Sequence, residues 1–110
     1  IDLIRLRYNS CVVCGISELK LLIGSHIKQW HKSTPQERIN INNGFLLCAN
    51  HDKLFDRGLI TFGDQGEIMI SKELDDTNKQ ILRLPTDIHV FMTDETKNFL
   101  KYHREYIFQK

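Results

Sequence analysis

The stretch "GFLLCANHDKLFDRG", residues 44–58, decides the fold. Its first five residues are apolar and too few for a helix, so they read as a short buried strand. The remainder reads as a short helix, capped at Asn50 and closed at Gly58. Working backwards, "LKLLIGSHI" (19–27) suits a strand interrupted at Gly24, and "KSTPQERININ" (32–42) reads as a polar loop with Pro35 at a turn. Working forwards, "LITF" (59–62) and "EIMIS" (67–71) flank "GDQG", which is the pattern of a β-hairpin.

The outer parts of the chain add helices. Residues 2–8, "DLIRLRY", are compatible with a short helix that exposes Arg5 and Arg7. Residues 72–92 carry no clear period, and Pro85 breaks any long element there. From Thr93, an N-cap followed by Asp94 and Glu95, the spacing of Phe99, Tyr102, Tyr106 and Ile107 predicts an amphipathic terminal helix. The fold class expected is α+β.

A chain of 110 residues suffices for one domain, with 41% hydrophobic and 26% charged residues and no apolar run long enough to span a bilayer. Net charge is +1, so binding of a polyanion must come from local patches and not from the whole-molecule field. Three cysteines is an odd and sparse set for a secreted scaffold, which points to reduced thiols and a cytoplasmic setting. The chain begins at Ile1 without the marks of a signal peptide and reads as a fragment of a longer protein.

The three cysteines are not scattered. Cys11 and Cys14 form one pair with two residues between them, and Cys48 and His51 form another. That spacing lets both side chains of each pair reach one tetrahedral ion, so the four together predict a closed, structural zinc site. Asp52 and Asp56 follow at helical i,i+4 spacing, where like charges repel. Asp52 suits the first turn, but Asp56 lies at the negative end of the helix dipole, where an acid is disfavoured. A bound cation explains that placement, with magnesium or manganese favoured for oxygen ligands. A salt bridge to Arg57, Lys53 or another basic group explains it equally well.

"SHIKQW" (25–30), "NNGFLLC" (42–48) and "CANHDKLFDRGLITF" (48–62) together resemble the HNH endonucleases of the ββα-metal type, in the branch found as the nuclease domain of bacterial restriction enzymes. The similarity runs from Cys11 to about Ile70. The resemblance implies a single HNH nuclease domain over residues 1–110: a ββα-metal finger with its structural zinc, an additional hairpin and a C-terminal helix. It implies that His26 is the general base, that Asn43 holds the loop and the base in place, and that Asp52 and Asp56 bind one catalytic Mg²⁺ or Mn²⁺. Ser25 departs from the aspartate that many HNH enzymes place there as a further metal ligand, and Gln29 stands where many have proline.

The implied activity is metal-dependent hydrolysis of DNA phosphodiester bonds, leaving 5′ phosphate and 3′ hydroxyl ends, in a restriction enzyme serving bacterial defence. Target recognition would then sit on a part of the chain outside these residues, and a homodimer that cuts both strands is allowed but not required. Lys28, Lys53 and Arg57, with Lys32 and Arg38 nearby, are candidates to contact the DNA backbone, which positions a protein without reading sequence. Trp30 is expected to pack into the core in preference to stacking on DNA. His31, His89 and His103 have no partner at ligand spacing and read as structural or solvated. The alternative function is a zinc-stabilised nucleic-acid-binding module without catalysis, which Ser25 favours. A zinc-dependent interaction domain unrelated to nucleic acid leaves His26, Asn43, Asp52 and Asp56 unexplained.

Overall fold

In the computed structural model, which describes residues 8–110, the chain forms two antiparallel hairpins joined by a helix. The short helix expected over residues 2–8 lies outside the described residues save for Tyr8. Strand β1 spans Leu22–His26 and pairs with β2, Gly44–Cys48, in the register Leu22↔Cys48 to His26↔Gly44. Between them runs helix α1, Pro35–Ile39. Helix α2, Ala49–Asp56, follows β2 directly and packs against both strands. Strands β3 (Ile60–Phe62) and β4 (Ile68–Ile70) make the second hairpin, then come α3 (Asp76–Leu82) and the long α4 (Asp94–Tyr106).

The core is where the two hairpins meet. Phe45 of β2, Phe55 of α2 and Phe62 of β3 are fully buried, with ring centroids 5.3–6.1 Å apart and mostly edge-to-face. Each such ring contributes roughly 1.5–3 kcal/mol by leaving water. Every residue of β2 is buried, as expected of its unbroken apolar run. That strand is the central element of the molecule.

Helix α2 ends as the sequence predicts. Gly58 has a left-handed φ of 73°, its N–H donates to Phe55 O at 3.1 Å, and Leu59 N–H donates to Leu54 O at 2.8 Å. These two bonds satisfy the last carbonyls of the helix. A Cβ at position 58 would collide with the Ile107 carbonyl, so the glycine also lets the C-terminal segment close over this turn.

Four expectations are corrected. Gly24 does not interrupt β1; it sits inside the strand, paired with Leu46. The segment expected as a polar loop contains α1, because Thr34 accepts from Glu37 N–H while Glu37 accepts from Thr34 N–H, with Pro35 in the first turn. Proline there is preorganised for a helix and does not break one. The N-cap of α2 is Cys48, not Asn50, and it makes no side-chain capping bond because its sulfur faces His51.

The fourth concerns α4, which begins at Thr93 as expected but turns a different face inward. Thr96, Leu100 and His103 are buried, while Tyr106 is 65% exposed and Phe99 and Tyr102 are only partly covered. His103 decides this. Its ring stacks on Phe55 at 3.9 Å between centroids, one nitrogen bonds Thr61 Oγ1 at 2.8 Å, and the other reaches Phe55 O at 2.8 Å. Since a carbonyl only accepts, Nε2 carries the proton and Nδ1 accepts from the threonine hydroxyl.

Candidate functional site

Cys11, Cys14, Cys48 and His51 come together at the end of the β1–β2 hairpin where Leu22 pairs with Cys48. Their ligand atoms all lie within 4.8 Å of one another. Cys14 and Cys48 sulfurs are 3.9 Å apart, and His51 Nδ1 is 3.6 Å from Cys11 Sγ and 3.1 Å from Cys48 Sγ. A tetrahedron with metal bonds of roughly 2.3 Å to sulfur and 2.0 Å to nitrogen has edges of about 3.5–3.8 Å. The four residues therefore fit one structural metal ion, consistent with zinc.

Local backbone explains the fit. Cys11 N–H donates to Ile16 O and Gly15 N–H to Cys11 O, both at 2.9 Å, which folds residues 11–16 into a tight knuckle with Gly15 at φ 82°. Val12 N–H then donates to Leu46 O at 3.0 Å and fastens the knuckle to β2. Burial pushes the Cys11 thiol up, but His51 and the backbone N–H groups of Cys14, Cys48 and Val13 outweigh it and bring it down to about 6. Burial and the neighbouring sulfurs of Cys11 and Cys48 push Cys14 up to about 11. A divalent ion held by the four residues would favour the thiolate form of all three cysteines.

The opposite end of the hairpin carries His26, paired across the strands with Gly44. His26 Nε2 lies 3.0 Å from the Arg38 carbonyl. The carbonyl can only accept, so Nε2–H is the donor and Nδ1 keeps its lone pair. Among the described residues Nδ1 has no hydrogen-bond partner. The ring is thus fixed in the tautomer whose other nitrogen can take up a proton.

Asn43 is fully buried and satisfies the loop between the strands. Its Oδ1 accepts from Lys28 N–H at 2.8 Å, while Nδ2 donates to Glu37 O at 3.1 Å and Ser33 Oγ at 3.4 Å. It thereby ties α1, which supplies the Arg38 carbonyl, to the residues just after His26. Helix α4 braces the same loop: Thr96 Oγ1 donates to Asn42 O at 2.9 Å, Thr93 Oγ1 to Asn42 Oδ1 at 2.9 Å, and Asn40 Nδ2 to Glu95 at 2.7 Å. Sequence reasoning missed this brace. Thr93 is legible as a cap, but nothing local points Thr96 at a loop 54 residues away.

Asp52 is half-buried and Asp56 exposed on α2, and among the described residues neither forms an ion pair. Neither joins His26 in a second group of three ligands; the described residues contain one such cluster, the Cys₃His set.

A family model described as HNH endonuclease matches residues 11–63. Over that span the chain is similar to the HNH endonucleases. The matched span runs from the metal-binding knuckle through β1, β2 and α2 to the end of β3, and α3 and α4 lie beyond it. No curated protein matches the chain. The two hairpins and the helices form an α+β fold consistent with the HNH domain.

The basic residues near the HNH motif differ in availability. Lys28 Nζ pairs with Glu37 at 3.0 Å and lies 5.3 Å from the Tyr102 ring, so its charge is already answered. The bond from Thr34 N–H, then Lys28, hold the Glu37 carboxyl below its ordinary range. Lys53 and Arg57 are exposed and, among the described residues, make no ion pair. Trp30 is not in the core: it is 57% exposed, with the Arg38 guanidinium 4.5 Å from its ring and the His26 ring edge-on at 5.5 Å. A tryptophan's burial depends on its tertiary neighbours, and here its ring neighbours are Arg38, brought close by α1, and His26.

Proposed function

We propose that this HNH domain is a metal-dependent DNA endonuclease that hydrolyses phosphodiester bonds to 5′ phosphate and 3′ hydroxyl ends. The observation that carries this reading is His26, held through Nε2–H by the Arg38 carbonyl with Nδ1 open. In the proposed reaction Nδ1 takes a proton from the attacking water, whose oxygen bonds to phosphorus as the phosphorus–oxygen bond to the 3′ oxygen breaks, and the departing 3′ oxygen takes a proton from solvent water to become the 3′ hydroxyl. Asn43 keeps that imidazole in place through the loop. Asp52 and Asp56, which have no cationic partner among the described residues, would hold Mg²⁺ or Mn²⁺ with water and phosphate oxygens completing the shell. When bound, such an ion supplies stabilisation of the charge that builds on the phosphate and the departing oxygen. Exposed Lys53 and Arg57 would contact the backbone of the DNA. The setting proposed, from the resemblance, is a restriction-type enzyme.

Binding without cleavage is the second reading. Ser25, buried in β1 opposite Phe45, supplies no carboxylate beside His26.

A plasmid-nicking assay across Mg²⁺, Mn²⁺ and Ca²⁺ separates the two. The enzyme reading expects nicking with Mg²⁺ or Mn²⁺, and a loss of roughly 10²- to 10⁴-fold in His26→Ala with circular dichroism and zinc content unchanged. An undiminished rate in folded His26→Ala rejects the base assignment, and DNA retention without nicking in any metal supports the binding module. Asp56→Asn should raise the divalent-ion concentration needed for cutting; release of zinc by that change would show that the two metal sites are wrongly partitioned.

A further inference from the structure

Trp30 is the only tryptophan in the chain, and it stands in solvent beside the proposed base. An isolated exposed aromatic needs no explanation, but this one is fixed from several sides. It opens a 3-10 turn, Trp30–Lys32, whose carbonyl accepts from Ser33 N–H at 3.2 Å and from Arg38 Nε at 2.9 Å. Buried Ser33 staples the turn by donating to the carbonyls of Lys28 at 3.1 Å and Gln29 at 3.0 Å. The Arg38 guanidinium lies over the indole, and the carbonyl of the same arginine holds His26. Platform and base therefore share one anchor and cannot shift independently.

The charge around the platform is one-sided. His31 and Lys32 are exposed and, among the described residues, have no acidic partner, while Glu37 is engaged by Lys28. A flat aromatic face with a guanidinium behind it and the Lys32 ammonium beside it suits a nucleobase flanked by phosphates, and an acidic or apolar protein surface would leave the ring or the charges unused. A base inside an intact duplex has both faces taken by its neighbours, so its ring cannot lie on the indole.

Resting on the nuclease reading, we propose that Trp30, backed by Arg38, stacks an unpaired base of the DNA substrate next to the bond to be cut, so that single-stranded or locally unpaired DNA is preferred. Trp30 is a specificity-determining residue in this proposal, with no part in proton transfer. Because the indole is ordered before DNA arrives, stacking carries little ordering cost.

The test uses the full chain without added Mg²⁺ or Mn²⁺ and a single-stranded oligothymidylate of roughly sixteen nucleotides. Binding is read by anisotropy of the labelled strand and by the fluorescence of Trp30 itself. Quenching on binding, about tenfold weaker affinity in Trp30→Ala and near-native affinity in Trp30→Phe are expected, with a blunt, fully paired two-strand duplex quenching little. In cleavage assays with Mg²⁺ or Mn²⁺, Trp30→Ala should raise KM for the single strand by about the same factor and leave kcat within roughly threefold. Binding with no quenching, equal in Trp30→Ala and the native chain, overturns the stacking role and leaves the nuclease reading standing. Neither binding nor cutting of any DNA overturns both.

Discussion

The two ends of the β1–β2 hairpin are built on opposite principles. At one end four ligand atoms converge from two short sequence pairs and need only an ion to close the site. At the other end one histidine is aimed by a backbone carbonyl through one ring nitrogen, and its other ring nitrogen has no hydrogen-bond partner among the described residues. The first arrangement is closed on itself; the second leaves an imidazole nitrogen open. A closed ligand cluster and a single histidine with one open ring nitrogen are thus separated along one pair of strands.

The largest effect should come from breaking the closed end. Cys48→Ser is expected to abolish stoichiometric zinc and cooperative unfolding, since structural zinc sites carry about 10–16 kcal/mol of apparent binding free energy. Metal analysis together with a thermal melt checks it, and a folded, metal-free Cys48→Ser protein would overturn the structural role.

At the open end, Asn43→Ala should cost about 1–3 kcal/mol, because it strands the part-buried Lys28 N–H and Glu37 carbonyl. Urea titration measures this, and zinc content should stay at one per chain if the two ends are as independent as their geometry indicates.

Acid gives a third probe. His103, which holds the last turn of α2, is pushed down to about 4, first by burial, against the Phe55 bond and the Asp56 charge that favour protonation, with Arg104 opposing it. Its folded value lies below the ordinary 6.5, so the unfolded chain binds more protons between these values. Stability from His103 is therefore complete above about pH 6.5 and is lost as pH falls towards 4, by up to a few kcal/mol. A flatter pH profile of thermal stability in His103→Gln is the expected result.

The smallest effect tests the brace from α4. Thr96→Val removes the bond to Asn42 O at a cost of about 1 kcal/mol, lowering kcat more than it raises KM, while Thr96→Ser restores most of the rate. Equal rates in all three would show that the brace stabilises the fold without positioning the loop.

How much of this was legible in the sequence follows the same division. The closed end is written in local spacing, because two ligands two residues apart must share a turn. The β3–β4 hairpin and the glycine that ends α2 are local too, and they appear as read. The open end is not local: His26 is aimed by a carbonyl 12 residues on, whose identity as arginine is irrelevant to that bond. The inward face of α4 was misread because threonine and histidine look like surface residues until Thr61, Phe55 and Asn42 are seen to satisfy them. The capping box of α1, by contrast, was present in "TPQE" and was obscured by reading Pro35 as punctuation.

The bond from Val12 N–H to Leu46 O has a bearing on solubility. It covers part of the backbone of β2, whose five residues "GFLLC" are all buried and carry no charge. Once the knuckle lets go, that strand offers uncovered hydrogen-bonding groups on a short apolar segment, the kind of template on which chains add edge to edge. Stripping the metal at protein concentrations used for purification should therefore yield precipitate in place of a dispersed unfolded chain, as light scattering would register; a clear solution of unfolded monomer would disprove it.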